Sequence, residues 1–188
     1  MRRAAAFAFA SWLALGASLA AAQPSNDYWS QGNQESDWER AQREKHWKEG
    51  EIKLPSYPRT ANLIGFEVSA ASDFKFFIDS ASLSVTDDGV VRYTLVARSP
   101  SGVENASYEG IHCRDGTYKV YAFGGPGGRW SRNALAQWRP IEASGPMRWH
   151  QVLAHDYFCP RGIRVASAGD AIAALKRGGI GATNTQWH

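Results

Sequence analysis

The sequence predicts an α+β fold: an antiparallel β-meander sheet of about five or six strands, with C-terminal helices packed on one face. Between Leu63 and Phe123, segments dense in β-branched and aromatic residues alternate with tight turn signals. After Gly124-Gly125-Pro126-Gly127-Gly128 the apolar spacing becomes helical. Of the 188 residues, 44% are hydrophobic and eight are Trp, which excludes a wholly disordered chain and suits one domain.

The chain opens as an address. Met1-Arg2-Arg3 is a positive start, and Ala4 to Ala20 carries no charge. Ala20-Ala21-Ala22 then offers the small residues that a signal peptidase reads, so cleavage is expected between Ala22 and Gln23. The rival reading, an uncleaved anchor, suits the length of the run but not its alanine-rich, weakly apolar content. Cleavage removes Arg2 and Arg3 and lowers the formal charge from +3 to +1. That charge is too small to indicate nucleic acid, and no later segment is long and apolar enough to span a membrane.

Residues 23–53 read as a polar lead followed by a charged helical arm. Asp37 to Glu49 has helix-forming composition, opposite charges four apart (Glu39/Arg43, Arg40/Glu44, Glu44/Lys48) and a stop at Gly50. With little apolar surface besides Trp38 and Trp47, it reads as a solvated arm pinned by two indoles. The sharper alternative is a partner-binding arm. Leu54-Pro55-Ser56-Tyr57-Pro58 is extended. A single domain is expected over 54–179, with a loose tail at 180–188.

Within that domain, strands are expected at Leu63 to Ser69, Phe74 to Ile78, Ala81 to Val85, Val90 to Arg98, Glu104 to Cys113 and Thr117 to Phe123. Asp87-Asp88-Gly89 and Asp115-Gly116 are hairpin turns. A lone Asp-Asp-Gly is a turn before it is a calcium ligand. The glycine stretch at 124–128 lacks the frame of a phosphate-binding loop and reads as a mobile loop. A short helical turn is expected within Arg129 to Trp138. A helix is expected over Arg148 to Tyr157, with Trp149, Val152 and Leu153 inward, and a last one over Ala171 to Arg177, capped by Asp170.

Export bears on the two cysteines. In an oxidising compartment Cys113 and Cys159 are most simply one disulfide closing a loop of about 46 residues. Free thiols, or zinc held with the neighbouring His112 and His155, are the alternatives.

The hairpin of Val90 to Arg98 with Glu104 to Cys113 carries a register expectation. Setting Tyr93 opposite Tyr108 and Leu95 opposite Ala106 puts large apolar groups on one face. Arg92 then faces Glu109 as a cross-strand ion pair on the face of Cys113, beneath the helices. Its structural reading is a specificity pair in the core; its functional reading is a glutamate held at the floor of a site.

Signatures of known catalytic machinery are absent: no G-x-S-x-G, no H-E-x-x-H, no kinase set and no Walker loop. Candidate catalytic residues reduce to Glu109, His112 and Asp156. His112 is the histidine within the sheet and reads as a packed residue before a base. His150 and His155 read as surface positions. No cofactor and no metal is indicated.

The stretch from Phe77 to Cys113, FIDSASLSVTDDGVVRYTLVARSPSGVENASYEGIHC, is the most informative. With YAFGG, Trp130, Trp138 and the DYFC at Asp156 to Cys159, it resembles the cryptic neisserial protein-like (CNP-like) family of exported bacterial proteins. The resemblance covers Leu54 to Arg177. Its specific parts are R-Y-T-L-V at Arg92 to Val96 and Y-E-G-I-x-C at Tyr108 to Cys113. It implies an envelope location and brings no catalytic residues with it. Two functions follow: a non-enzymatic periplasmic module binding an envelope protein or small ligand, or an envelope hydrolase with its site near Glu109 and His112.

Overall fold

A computed structural model describes residues 47–69, 72–142 and 148–179, with Ser36, Trp38 and Gln42. The signal segment 1–22, its Ala22–Gln23 cleavage point, most of the charged arm and the tail 180–188 lie outside the described residues. Among the described residues seven strands form one antiparallel sheet: β1 (Leu63–Phe66), β2 (Lys75–Val85), β3 (Val90–Arg98), β4 (Glu104–His112), β5 (Thr117–Gly125), β6 (Arg129–Arg132) and β7 (Arg139–Pro140). The first six follow one another across the sheet, and β7 also pairs with β5. Helices α1 (Arg148–Val152) and α2 (Ala168–Arg177) close the chain. The α+β meander with C-terminal helices is thus as the sequence indicated.

Tight turns dictate the meander, since strands joined by a few residues pair as antiparallel neighbours. The two segments expected at 74–78 and 81–85 are one strand, β2, interrupted by a bulge. Asp79 lies opposite Thr94 but Ser84 lies opposite Arg92, so β2 carries extra residues between those points. Ser82 stitches the bulge: its hydroxyl donates to the Asp79 carbonyl and accepts from the Thr94 N–H, both at 2.9 Å.

Two expectations fail between 124 and 138. The glycine stretch is a hairpin turn, with Gly127 and Gly128 at φ 72° and 69°, conformations that other residues rarely adopt. It delivers Arg129–Arg132 as β6, where a short helical turn was expected.

The helices differ in detail. One α-helical turn, Arg148–Val152, widens into a π-helical segment, Leu153–Phe158, in which the Cys159 N–H reaches the Ala154 carbonyl at 2.8 Å. The wider turn sends Leu153, Ala154, Tyr157 and Phe158 all into the core. His150 points inward too and is buried, correcting its placement at the surface. Helix α2 starts at Ala168, capped by Ser167 through the Asp170 N–H at 3.1 Å. Asp170 is therefore the third helical residue and not the cap; its carboxylate accepts from the Ser167 hydroxyl at 2.7 Å. Gly178, at φ 82°, ends the helix.

The helices cover one face of the sheet. Tyr93 packs on Phe158 with centroids 5.3 Å apart, Phe66 on Tyr157 at 5.8 Å and Phe76 on Trp149 at 5.6 Å. Fully buried side chains there, such as Ile78, Ile111 and Leu153, each contribute about 1.5–3 kcal/mol by leaving water. Cys113, just past β4, faces this layer and lies at disulfide distance from Cys159, with sulfurs 2.05 Å and Cα atoms 5.4 Å apart. A thiolate zinc site is thereby ruled out for this pair.

The opposite face is covered as well, by an extended strap, residues 47–58. Ile52 and Leu54 pack with Trp130 against Tyr108, Tyr121 and Ala122. The Trp130 indole N–H holds the Pro55 carbonyl at 2.8 Å.

Candidate functional site

The β3–β4 ladder runs one residue out of the expected register. Arg92 lies opposite Gly110, Tyr93 opposite Glu109, and Thr94 opposite Tyr108. Because faces alternate along a strand, Arg92 and Glu109 point to opposite sides of the sheet, and the expected ion pair does not form. The reason is that both faces of these strands are buried, so apolar residues occur at every phase and alternation cannot select a register. Gly110 stands where Arg92 and Tyr121 cross the sheet. A Cβ there would lie 2.6 Å from the Tyr121 hydroxyl and 2.9 Å from Val90 Cγ1.

On the helical side Glu109 is the hub of a closed polar cluster. Its Oε2 accepts from the Tyr93 hydroxyl at 3.0 Å and pairs with His150 Nε2 at 2.9 Å. Its Oε1 accepts from the Ser107 hydroxyl at 2.5 Å. The His150 ring stacks on Tyr118 with centroids 3.7 Å apart. Burial by itself raises the carboxyl pKa. The charge of His150, its hydrogen bond, and the hydroxyls of Ser107 and Tyr93 outweigh burial and hold Glu109 below the ordinary glutamate value. Burial and the neighbouring Glu109 push the Tyr93 phenol well above its ordinary value. A carboxylate–imidazole–phenol set has the right types for acid–base chemistry. But Glu109 is 2% and His150 1% exposed, so the set lies beneath the helices and out of a substrate's reach.

On the strap side Arg92 pairs with Asp88, Nη2 to Oδ2 at 2.6 Å and Nη1 to Oδ1 at 3.2 Å, and donates to the Thr86 hydroxyl. Asp88 also receives the Gly50 N–H at 2.8 Å, and its carbonyl receives the Trp47 indole N–H at 2.8 Å. Burial alone raises the Asp88 carboxyl, but the hydrogen bonds from Arg92, Thr86 and the N–H groups of Gly50 and Val90 hold it well below the usual carboxylate range. Glu49 completes the lock: it pairs with Lys119 Nζ at 2.8 Å, accepts from the Tyr121 hydroxyl at 2.8 Å and lies 3.7 Å from Arg92 Nη2. The Asp-Asp-Gly turn therefore anchors the strap as well as reversing the chain.

The three candidate catalytic residues occupy three environments. Glu109 is in the helical core. His112 projects to the other face, pairs with Asp115 at 2.8 Å and stacks under Trp47 with centroids 4.8 Å apart. Asp156 is exposed beside His155, 2.7 Å from its Nδ1. Among the described residues no three His, Cys, Asp or Glu side chains converge as a metal site.

Open space lies elsewhere. A cleft of about 390 Å³ separates Pro55, Ser56, Tyr57, Arg59 and Asn62 from Asp79, Ala81 and Ser82 of the β2 bulge. Asp79 is only 2% exposed. Its Oδ1 accepts the Ala81 N–H at 3.2 Å. The Thr94 hydroxyl, on the residue directly opposite, is buried without a hydrogen-bond partner. In sequence Asp79-Ser80 reads as a break between strands. The only signal of a bulge is the polar, small-residue run DSAS inside an apolar strand, and it does not reveal which segment faces it.

No helix among the described residues is long and apolar enough to cross a membrane. No solved structure matches the chain. The chain is 28% identical over 160 residues to Cryptic neisserial protein 1 of Neisseria gonorrhoeae, covering 77% of this chain and 79% of that protein. A family model described as CNP1-like matches residues 42–176, which spans the strap, the whole sheet and nearly all of α2. By that match the chain belongs to the CNP1-like family.

Proposed function

We propose that the protein is an exported, non-enzymatic binding module of the cell envelope. The leader 1–22 is removed between Ala22 and Gln23, and the module acts in the periplasm through the cleft between residues 55–62 and the β2 bulge. The observation that carries the reading is a contrast of placement. The Glu109, His150 and Tyr93 set, which has acid–base chemistry, lies in the core and lines no part of the cleft, while the residues lining the cleft include the carboxylate of Asp79 but no nucleophile–base pair. A hydrolase using Glu109 with His112 loses its support, since the two point to opposite faces of β4.

Two measurements test this. N-terminal sequencing of the protein from the periplasmic fraction should begin at Gln23; an intact Met1, or recovery in the cytoplasm, overturns the export reading. Native mass spectrometry of that material should show a retained small molecule that Ala81→Trp, which fills the cleft, displaces. A ligand-free protein, or a ligand kept by the variant, overturns the binding reading.

A further inference from the structure

Among the described residues Glu109 and Asp79 are buried and Asp88 is half-buried with its carboxylate shielded, and of the three Asp79 lacks a counter-charge. Glu109 lies 2.9 Å from the His150 imidazole, and Asp88 lies 2.6 Å from the Arg92 guanidinium. Asp79 is as buried as Glu109, yet its side chain holds only the Ala81 N–H, at 3.2 Å, with no described cation in ion-pair distance. Burying a carboxylate without a compensating cation is unfavourable, and proteins avoid it unless something else supplies the charge. Asp79 also lines the 390 Å³ cleft, which Glu109 and Asp88 do not.

Ser56, Tyr57 and Asn62, residues with neutral side-chain oxygens, line the same cleft. Together with Asp79 they bring a negative charge and neutral oxygen acceptors to one small space. An ammonium matches that set: one positive charge and three donors on a compact head. A neutral polyol would leave the charge of Asp79 uncompensated, and an anion would be repelled by it.

Resting on the reading of this cleft as the binding site, we infer that it takes a small molecule through a protonated amine received by Asp79. The exposed Arg59 at the rim suits a carboxylate on the far end of such a molecule. Amino acids and simple amines therefore share the head group and differ in their use of Arg59.

The test is calorimetric titration of the mature protein with n-butylamine, alanine and glucose, in the native form and in Asp79→Asn, Arg59→Ala and Ala81→Trp. Asp79→Asn keeps an oxygen for the Ala81 N–H while removing the charge, so the bulge should persist, and the thermal midpoint checks that it does. Butylamine and alanine should bind and glucose should not. Asp79→Asn should weaken amine binding at least tenfold, and Ala81→Trp should abolish it. Loss of alanine binding alone in Arg59→Ala supports the amine head group and adds the carboxylate contact. Glucose binding without amine binding, abolished by Ala81→Trp, overturns the amine inference and leaves the binding module standing. Amine binding unaffected by Asp79→Asn, or no amine binding at all, also overturns it. The binding-module reading is judged separately, by the retained ligand on envelope-purified protein.

Discussion

Tyr93 stands directly opposite Glu109 across the β3–β4 ladder, and its hydroxyl donates to the Glu109 carboxylate at 3.0 Å inside the core. His150 completes the pairing from α1, so one carboxylate ties two strands to the helical layer. Removing one partner of such a pair leaves a buried charge or an orphaned ring. Glu109→Leu and His150→Phe should each destabilise the fold by about 3–5 kcal/mol, and the double variant by clearly less than their sum. Urea unfolding of the four proteins checks this; strict additivity would mean that the pair is not coupled.

Acid should weaken the protein. Glu109 and Asp88 both have carboxyl groups depressed in the folded state, from ordinary values of 4.5 and 3.8. Depressed groups contribute stability that is fully present above those ordinary values and is lost as pH falls through the folded ones. The unfolding midpoint should therefore be flat above pH about 5 and fall steadily below pH about 4. Glu109→Gln should flatten part of that fall, which a urea series from pH 7 to pH 2.5 would measure.

The Asp88 lock holds the strap on the sheet. Asp88→Asn removes the nearer counter-charge of Arg92, a side chain only 4% exposed, leaving Glu49 at 3.7 Å, and weakens the Gly50 contact. The expected loss is about 3 kcal/mol. Trypsin should then cut after Lys48 and Lys53 sooner than in the native protein, followed by mass spectrometry of the fragments. Unchanged cutting would mean that Glu49, Ile52, Leu54 and Trp130 hold the strap without Asp88.

Gly110→Ala should cost about 1–3 kcal/mol, because its Cβ would overlap the Tyr121 hydroxyl and Val90. Tyr121→Phe in the same chain should recover part of that loss. Full recovery would place the whole overlap at the hydroxyl, and none would place it at Val90.

Replacing Cys113 and Cys159 by Ala opens a loop with a sequence separation of 46 residues. The expected loss is about 4 kcal/mol, read as a lowered denaturant midpoint. Reducing agent should reproduce it in the native protein and leave the variant unchanged.

Much of the architecture was legible in the residues. Asp87-Asp88-Gly89, Asp115-Gly116 and the β-rich runs between them located β3, β4 and β5 with at most a residue or two of error, because turn chemistry and β-branched density are local properties. Local signals did worse where packing intervened. DSAS inside β2 separated one strand into two, since a bulge reads as a turn when the opposing strand is unseen. The Gly-rich stretch hid a hairpin. His150 read as a surface residue because its polar character gives no hint of a carboxylate waiting beneath it.

What the sequence determined by itself is the antiparallel α+β meander, through turns and composition that act within a few residues. The tertiary structure alone decided the β3–β4 register, the faces of Arg92 and Glu109, and the cleft at Asp79. The physical reason is the strap. Once residues 47–58 cover the second face, both sides of the central strands are interior, and apolar alternation no longer distinguishes one register from its neighbour. Longer-range contacts then choose: Tyr93 and His150 meet Glu109 of β4 from the facing strand and the helical layer.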